Sequence, residues 1–397
     1  MATKRPPPAA SSSLVKRSRV EDEDGSDAAA SSSLVPITSS RDGKDKGLVR
    51  SVKRTSGLSD PILSLNGGHQ GEILDVKFSL DGEYIAAAGG DKSISIWKTY
   101  SPNNHVTSLQ SHNKAVICLA FLPPSTKTIN GFPSSTSSLP LLLSGSADST
   151  LILWSPLSPP PNNKLRRFRH HKGIVNCVAP SPADATLFAS GSDDGDVCIW
   201  NTEEKQPLES LKVGYPVTAL EWTKDGSGLF VGGIDNQIHL YDLHRKQILY
   251  SLNLHTDTIT SLTLSPSGSY LFSFSLDSTL RVWDVRPFAI SSSNGDAAGE
   301  VNEEDRASQE RLYRTLSGAL NGADALLIKG GWSRDGRRII LGSGDRTCVV
   351  WDVESEKILY KLPGHRGTCT AAAYHPKEPI VVSSSTDGQL LLGEIEP

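Results

Sequence analysis

Much that would identify a chemistry is missing from this 397-residue chain. Cysteine is scarce. Cys118, Cys177, Cys198, Cys348 and Cys369 make an odd set with no CxxC pair. That argues against a disulfide framework and against a structural zinc. Most of these cysteines stand at apolar strand positions, which predicts buried, reduced thiols and a reducing compartment, cytosol or nucleus. No apolar run reaches the roughly 18 residues of a membrane span, so no membrane partner is expected. The N-terminus has no apolar signal core. The formal net charge of -4 does not make the whole chain an electrostatic binder of nucleic acid. Catalytic signatures are also lacking: no GxxxxGK[ST] loop, no GxSxG elbow and no HExxH. The pair His170-His171 has no further ligand at metal spacing. The Gly-Gly pairs at Gly89, Gly232 and Gly330 sit in strand and turn contexts rather than at helix starts. No catalytic residue, metal, cofactor or small-molecule substrate is expected.

What is present begins with a polar tail. Residues 1–59 are rich in Ser, Ala, Pro and charge and contain no aromatic residue, which predicts disorder. Their first basic residues fall in two clusters ten residues apart, Lys4-Arg5 and Lys16-Arg17-Ser18-Arg19, and a further basic stretch holds Arg41, Lys44, Lys46, Arg50, Lys53 and Arg54. Two cationic clusters on an extended linker suit the paired acidic grooves of a nuclear import carrier.

From residue 60 to 397 one unit recurs. Asp277 stands six residues before Trp283, with alternating apolar residues between them. That reads as a short half-buried strand entered through a tight turn. The same spacing joins Asp91 to Trp97, Asp148 to Trp154, Asp194 to Trp200, Asp235 to Tyr241, Asp345 to Trp351 and Asp387 to Gly393. Four of the six intervals between unit ends are about 41 to 46 residues, the length of a four-stranded propeller blade. The expected fold is all-β, a seven-bladed propeller without a convincing amphipathic helix. An apolar alternating run at 61–67 has no blade before it, and the last unit has no strand after its third. The two halves fit, so the early run should complete the last blade and close the ring. Three insertions, 123–140, 156–163 and 290–309, fall between first and second or third and fourth strands. All three should decorate one face. The face carrying the repeated Asp turns should stay bare, with Lys92 and Arg346 as its charged turn residues and candidate partner contacts.

Several units also repeat His and Ser: His112, Ser144, Asp148 and Trp154; His171, Ser190, Asp194 and Trp200; His255, Ser273, Asp277 and Trp283. Ser, His and Asp have the composition of a hydrolase triad. Repetition favours a structural hydrogen-bond network instead, since a catalytic site does not recur blade by blade.

The spaced Gly-His, the Ser-Gly-Ser-x-Asp turns and the closing Trp-Asp (Trp283-Asp284, Trp351-Asp352) resemble the WD-repeat family. That resemblance implies a rigid interaction platform. The segments Gly232–Leu243, Ser265–Ala289 and Ile358–His365 are similar to the WD-repeat subunits of the U5 small nuclear ribonucleoprotein. So is the ending His375–Glu396, where Gly393-Glu394 replaces Trp-Asp. This narrower resemblance implies a non-enzymatic nuclear scaffold in pre-mRNA splicing. Its partners would be the large U5 core protein and the spliceosomal RNA helicase, with small nuclear RNA held indirectly. A second reading comes from Asp277–Arg286, which fits the WDxR box of cullin-RING ubiquitin ligase receptors. In that case Asp284 and Arg286 would be exposed contacts.

Overall fold

Short alternating segments dominate the described chain, and they pair in sequence order. The computed structural model describes residues 56–58, 60, 62–100, 105–124, 140–287, 308–322 and 324–395. Residues 55–397 form one compact unit. Its described residues build seven antiparallel four-stranded sheets, with a single helical turn at 308–311. Each sheet is a blade, and in six of the seven the strands run outward from a central axis in chain order. Blade 3 is typical: Val175–Pro180 is innermost, then Leu187–Ser192, Asp196–Asn201 and Glu209–Lys212. The expected tail with its import residues Lys4, Arg5, Lys16, Arg17 and Arg19 lies outside the described residues.

The middle strands are buried on both faces, because each blade is covered by a neighbour on either side. In blade 3 Val197, Cys198, Ile199 and Trp200 are all buried. Apolar clusters form between neighbouring blades rather than within one. Phe168 of blade 2 meets Phe188 of blade 3 edge-on at 5.1 Å, and Phe188 stacks on Trp200. All three rings are fully buried. Each blade therefore leaves one face incomplete until the next is folded. Six of the seven inner strands carry a register shift near their start, as between Ile73 and Asp75. Such bulges raise the local twist that a propeller blade needs.

Ring closure uses both ends of the repeat array. Ile62–Leu65 pairs antiparallel with Leu390–Glu394, with Leu65 opposite Leu390, and completes blade 7. Residues just upstream join it: Ser56 N donates to Glu394 Oε1 at 3.0 Å, Gly57 N to Glu378 Oε2 at 3.0 Å, and Leu58 is buried.

Blade 6 departs from expectation. The apolar run 326–332 predicts an inner strand of that length, but only Gly330–Trp332 pairs within the blade. Before it, the backbone turns to its neighbour. Lys329 N donates to Thr370 O at 2.9 Å and Ala372 N to Lys329 O at 3.2 Å. The backbone N–H and C=O of Lys329 are thus satisfied by blade 7.

Candidate interaction faces and the networks beneath them

The repeated aspartate shapes one face of the ring. In each blade it sits in the turn between second and third strands. One carboxylate oxygen accepts the backbone N–H two residues on, as from Thr279 to Asp277 at 2.8 Å and Thr150 to Asp148 at 3.1 Å. This side-chain turn is a favoured use of Asp. The residue after the aspartate is left-handed in all seven blades: Lys92, Ser149, Gly195, Asn236, Ser278, Arg346 and Gly388, with φ between 62° and 78°. Lys92 and Arg346 are exposed there.

A directional chain runs inward from this turn in blades 1, 2, 3 and 5. In blade 5 the Trp283 indole N–H donates to Ser273 Oγ at 2.8 Å. Ser273 Oγ lies 2.7 Å from His255 Nε2, and His255 Nδ1 lies 2.9 Å from Asp277 Oδ2. Blades 2 and 3 repeat it through Trp154, Ser144, His112 and Asp148, and through Trp200, Ser190, His171 and Asp194. A neutral His with its proton on Nδ1 satisfies every link. The indole donates to the hydroxyl, the hydroxyl to Nε2, and Nδ1–H to the carboxylate. Burial pushes the pKa values of His112, His171 and His255 down against the pull of their aspartates. Burial alone would raise that of Asp148. The hydrogen bonds from Thr150 and Asn113, with the His112 ring, outweigh it and lower the carboxyl to about 2.

The connectivity Ser–His–Asp is that of a hydrolase triad, but its chemistry is closed off. The serines are fully buried, and their oxygens already accept the indole proton. A nucleophile needs a free line of attack, and none of these has one.

Two members escape the sequence. Blade 1 has Ala87 where blades 2, 3 and 5 have serine, yet its chain is complete. Ser95 supplies the hydroxyl, 2.7 Å from His69 Nε2 and 2.8 Å from Trp97 Nε1. Ala87 and Ser95 face each other directly in the sheet. Blade 4 uses the same cross-strand position. His239, opposite Val231, reaches Asp235 at 2.7 Å. Only knowledge of the register could have found either. Blade 7 retains His365 and Ser383 at 2.9 Å but ends at Gly393 without a tryptophan.

The opposite face carries the connections from first to second and from third to fourth strands. Residues 125–139 and 288–307 of two insertions lie outside the described residues. The strands that flank all three insertions end on this face. Here Arg286 is exposed, but Asp284 is not the exposed contact expected of it. Its side chain is 15% exposed. It caps its own turn by accepting Arg286 N at 3.1 Å, and the Arg286 guanidinium folds back onto it, Nε to Oδ1 at 2.9 Å.

A third feature, invisible in sequence spacing, lies on the axis. Lys329 Nζ donates to Asp75 Oδ2 at 3.0 Å and to Ile117 O at 2.8 Å. Asp75 also accepts Leu119 N and Val76 N, both at 2.9 Å. One ammonium thus ties blade 6 to blades 1 and 2 across an axial cavity of about 320 Å³. Glu221 lines the same cavity, and burial pushes its carboxyl up to about 7.

Comparison with known proteins adds ancestry to this geometry. The family model "WD domain, G-beta repeat" matches residues 59–98, 103–155, 162–201, 205–242, 246–284, 311–352 and 356–392. The chain is 34% identical over 367 residues to the U5 small nuclear ribonucleoprotein 40 kDa protein of Dictyostelium discoideum, covering 91% of this chain and 92% of that one. The human protein of the same name is 34% identical over 86% of each. Pre-mRNA-splicing factor cwf17 of Schizosaccharomyces pombe is 30% identical, over 87% of this chain and 90% of its own length.

Proposed function

The chain belongs to the WD domain, G-beta repeat family, and from that premise we propose that it is a non-enzymatic scaffold subunit of the U5 small nuclear ribonucleoprotein, acting in pre-mRNA splicing in the nucleus. The observation that carries the reading is end-to-end similarity. Relatives named for the U5 particle and for splicing match across nearly the full length of both chains, so the whole ring and not one repeat is shared. The mechanism is mechanical. A closed ring presents two faces and a rim already ordered, so binding costs little conformational entropy. Two partners held on one ring gain effective concentration for each other. The large U5 core protein and the spliceosomal helicase are the partners this role calls for, with Lys92 and Arg346 as candidate contacts. The repeated His–Asp chains serve as staples within blades. The basic residues Lys4, Arg5, Lys16, Arg17 and Arg19 would engage an import carrier. A cullin-ligase role through Asp284 and Arg286 is disfavoured by their mutual pairing.

The test is to recover the tagged chain from nuclear extract at moderate salt and sequence the RNA that comes with it. U5 RNA with the large U5 core proteins is the expected result. A ligase adaptor lost on Arg286→Ala, with no small nuclear RNA, overturns the reading.

A further inference from the structure

The outer strand of blade 2, Lys164–Arg169, reads KLRRFR. It borders a groove of about 690 Å³ on the rim of the ring. Three separate stretches build it. The strand supplies Lys164, Arg166, Arg167 and Arg169. The end of the proline-rich insertion supplies Pro161 and Asn162. The third-to-outer connection of blade 3 adds Lys205 and Gln206. Five cations line it, and no carboxylate does. Glu203 and Glu204 precede Lys205 in the chain but stay outside the lining. Lys164 and Arg167 meet a neutral hydroxyl: Lys164 Nζ donates to Ser111 Oγ at 2.8 Å, and Arg167 Nη2 to Ser111 Oγ at 3.0 Å. Burial, then the neighbouring Arg167 and Arg169, lower the proton affinity of Lys164. Lys164, Arg167 and Arg169 therefore crowd one another along the strand.

We propose that this groove binds the phosphate backbone of single-stranded RNA directly. A chain with a net charge of -4 has concentrated five positive groups along one short strand and its neighbour. Arginine forks match phosphate oxygens two at a time. Protein interfaces centre on tryptophan, tyrosine and arginine anchors in desolvated pockets. This lining has arginines but no aromatic ring, and only Leu165 and Pro161 as apolar surface around them. It exposes no aromatic ring on which bases could stack, so recognition is of phosphate and not of sequence. The inference does not require the splicing role. It makes RNA contact a property of the propeller itself.

The test uses the full chain and a fluorescein-labelled twelve-residue oligouridylate, titrated by anisotropy between 50 and 200 mM KCl. Lys164→Gln, Arg166→Gln, Arg169→Gln and Lys205→Gln are combined in one variant. Lys98→Gln, Lys212→Gln, Lys357→Gln and Lys377→Gln form a control of equal charge. The rim variant should bind roughly tenfold or more weakly at low salt, and its salt slope should fall by about 2 to 3, near 0.7 per lost phosphate contact. The control should bind as the parent does. Photocrosslinking of the parent to a 4-thiouridine oligonucleotide, which needs no variant to fold, should map to 161–170 and 205–206. Equal binding by the two variants, or crosslinks confined to residues 1–54, overturns the proposal. Displacement of the RNA by a decaglutamate peptide of equal or higher affinity also overturns it, in favour of an acidic protein segment.

Discussion

The Ala87–Ser95 exchange shows what the network requires: an oxygen at one point in space, from whichever strand can deliver it. Ser95→Ala leaves His69 Nε2 and the Trp97 indole N–H without their shared partner. An orphaned buried pair of this kind costs about 1–3 kcal/mol, read as a lower denaturation midpoint. Adding Ala87→Ser should restore most of the loss, because the hydroxyl then comes from the position used by Ser144 and Ser190. A double variant no more stable than the single one would refute the exchange. Titration acts on the corresponding groups of other blades. His112, His171, His255 and Asp148 all bind protons less readily when folded than when unfolded. Their stabilisation is complete above the ordinary values of 6.5 and 3.8 and is lost as pH falls through the lowered ones. Stability should therefore begin to decline below about pH 6.5 and fall further toward pH 2, as melts across pH would report. Glu221 has the opposite sign. Its raised value favours the folded state below 4.5 and costs stability as pH rises through about 7. Because the residue is only half-buried where it lines the axial cavity, we expect Glu221→Gln to gain only about 1–2 kcal/mol at pH 8. No gain at pH 8 would count against a buried Glu221.

At the scale of the element, the strand most exposed to test is Ile62–Leu65. Without it, the apolar strand Leu390–Glu394 becomes an edge with open N–H and C=O groups. Deleting residues 1–65 should lower the melting temperature and raise light scattering, and a synthetic peptide of residues 56–67 should reverse both. Failure of the peptide to rescue would mean that closure is not what the strand provides. This pairing was legible in the sequence because each blade is a local repeat, so one missing strand and one spare strand stand out. The Asp-to-Trp spacing was legible for the same reason: turn and strand are contiguous. The inner strand of blade 6 was not, since the run 326–332 has the right pattern and its first residues bond to another blade. Ser95 and His239 were hidden because their partners are set by sheet register, not by spacing along the chain. Asp284 misled for a related reason. A Trp-Asp-x-Arg string gives composition, while the turn geometry lets Arg286 pair with it.

The whole molecule depends on contacts that no repeat predicts. Lys329 and Asp75 are 254 positions apart; Asp75 lies within an ordinary-looking inner strand and Lys329 just ahead of another. Lys329→Ala should cost about 3–5 kcal/mol by leaving the Asp75 carboxylate buried without its counter-charge. Lys329→Met combined with Asp75→Leu should recover part of this, which separates an uncompensated charge from lost packing. Chemical denaturation of the three forms decides between them. The joining of Ile62–Leu65 to Leu390–Glu394 also imposes an order in time. During synthesis the first strand of the ring leaves the ribosome some 325 residues before its partner. At about 5–20 residues per second, that is a wait on the order of 15 to 65 seconds. Through that interval the nascent chain carries an apolar strand with nothing to pair to. A chaperone has that window in which to hold the chain before the last strand is released and the ring can close.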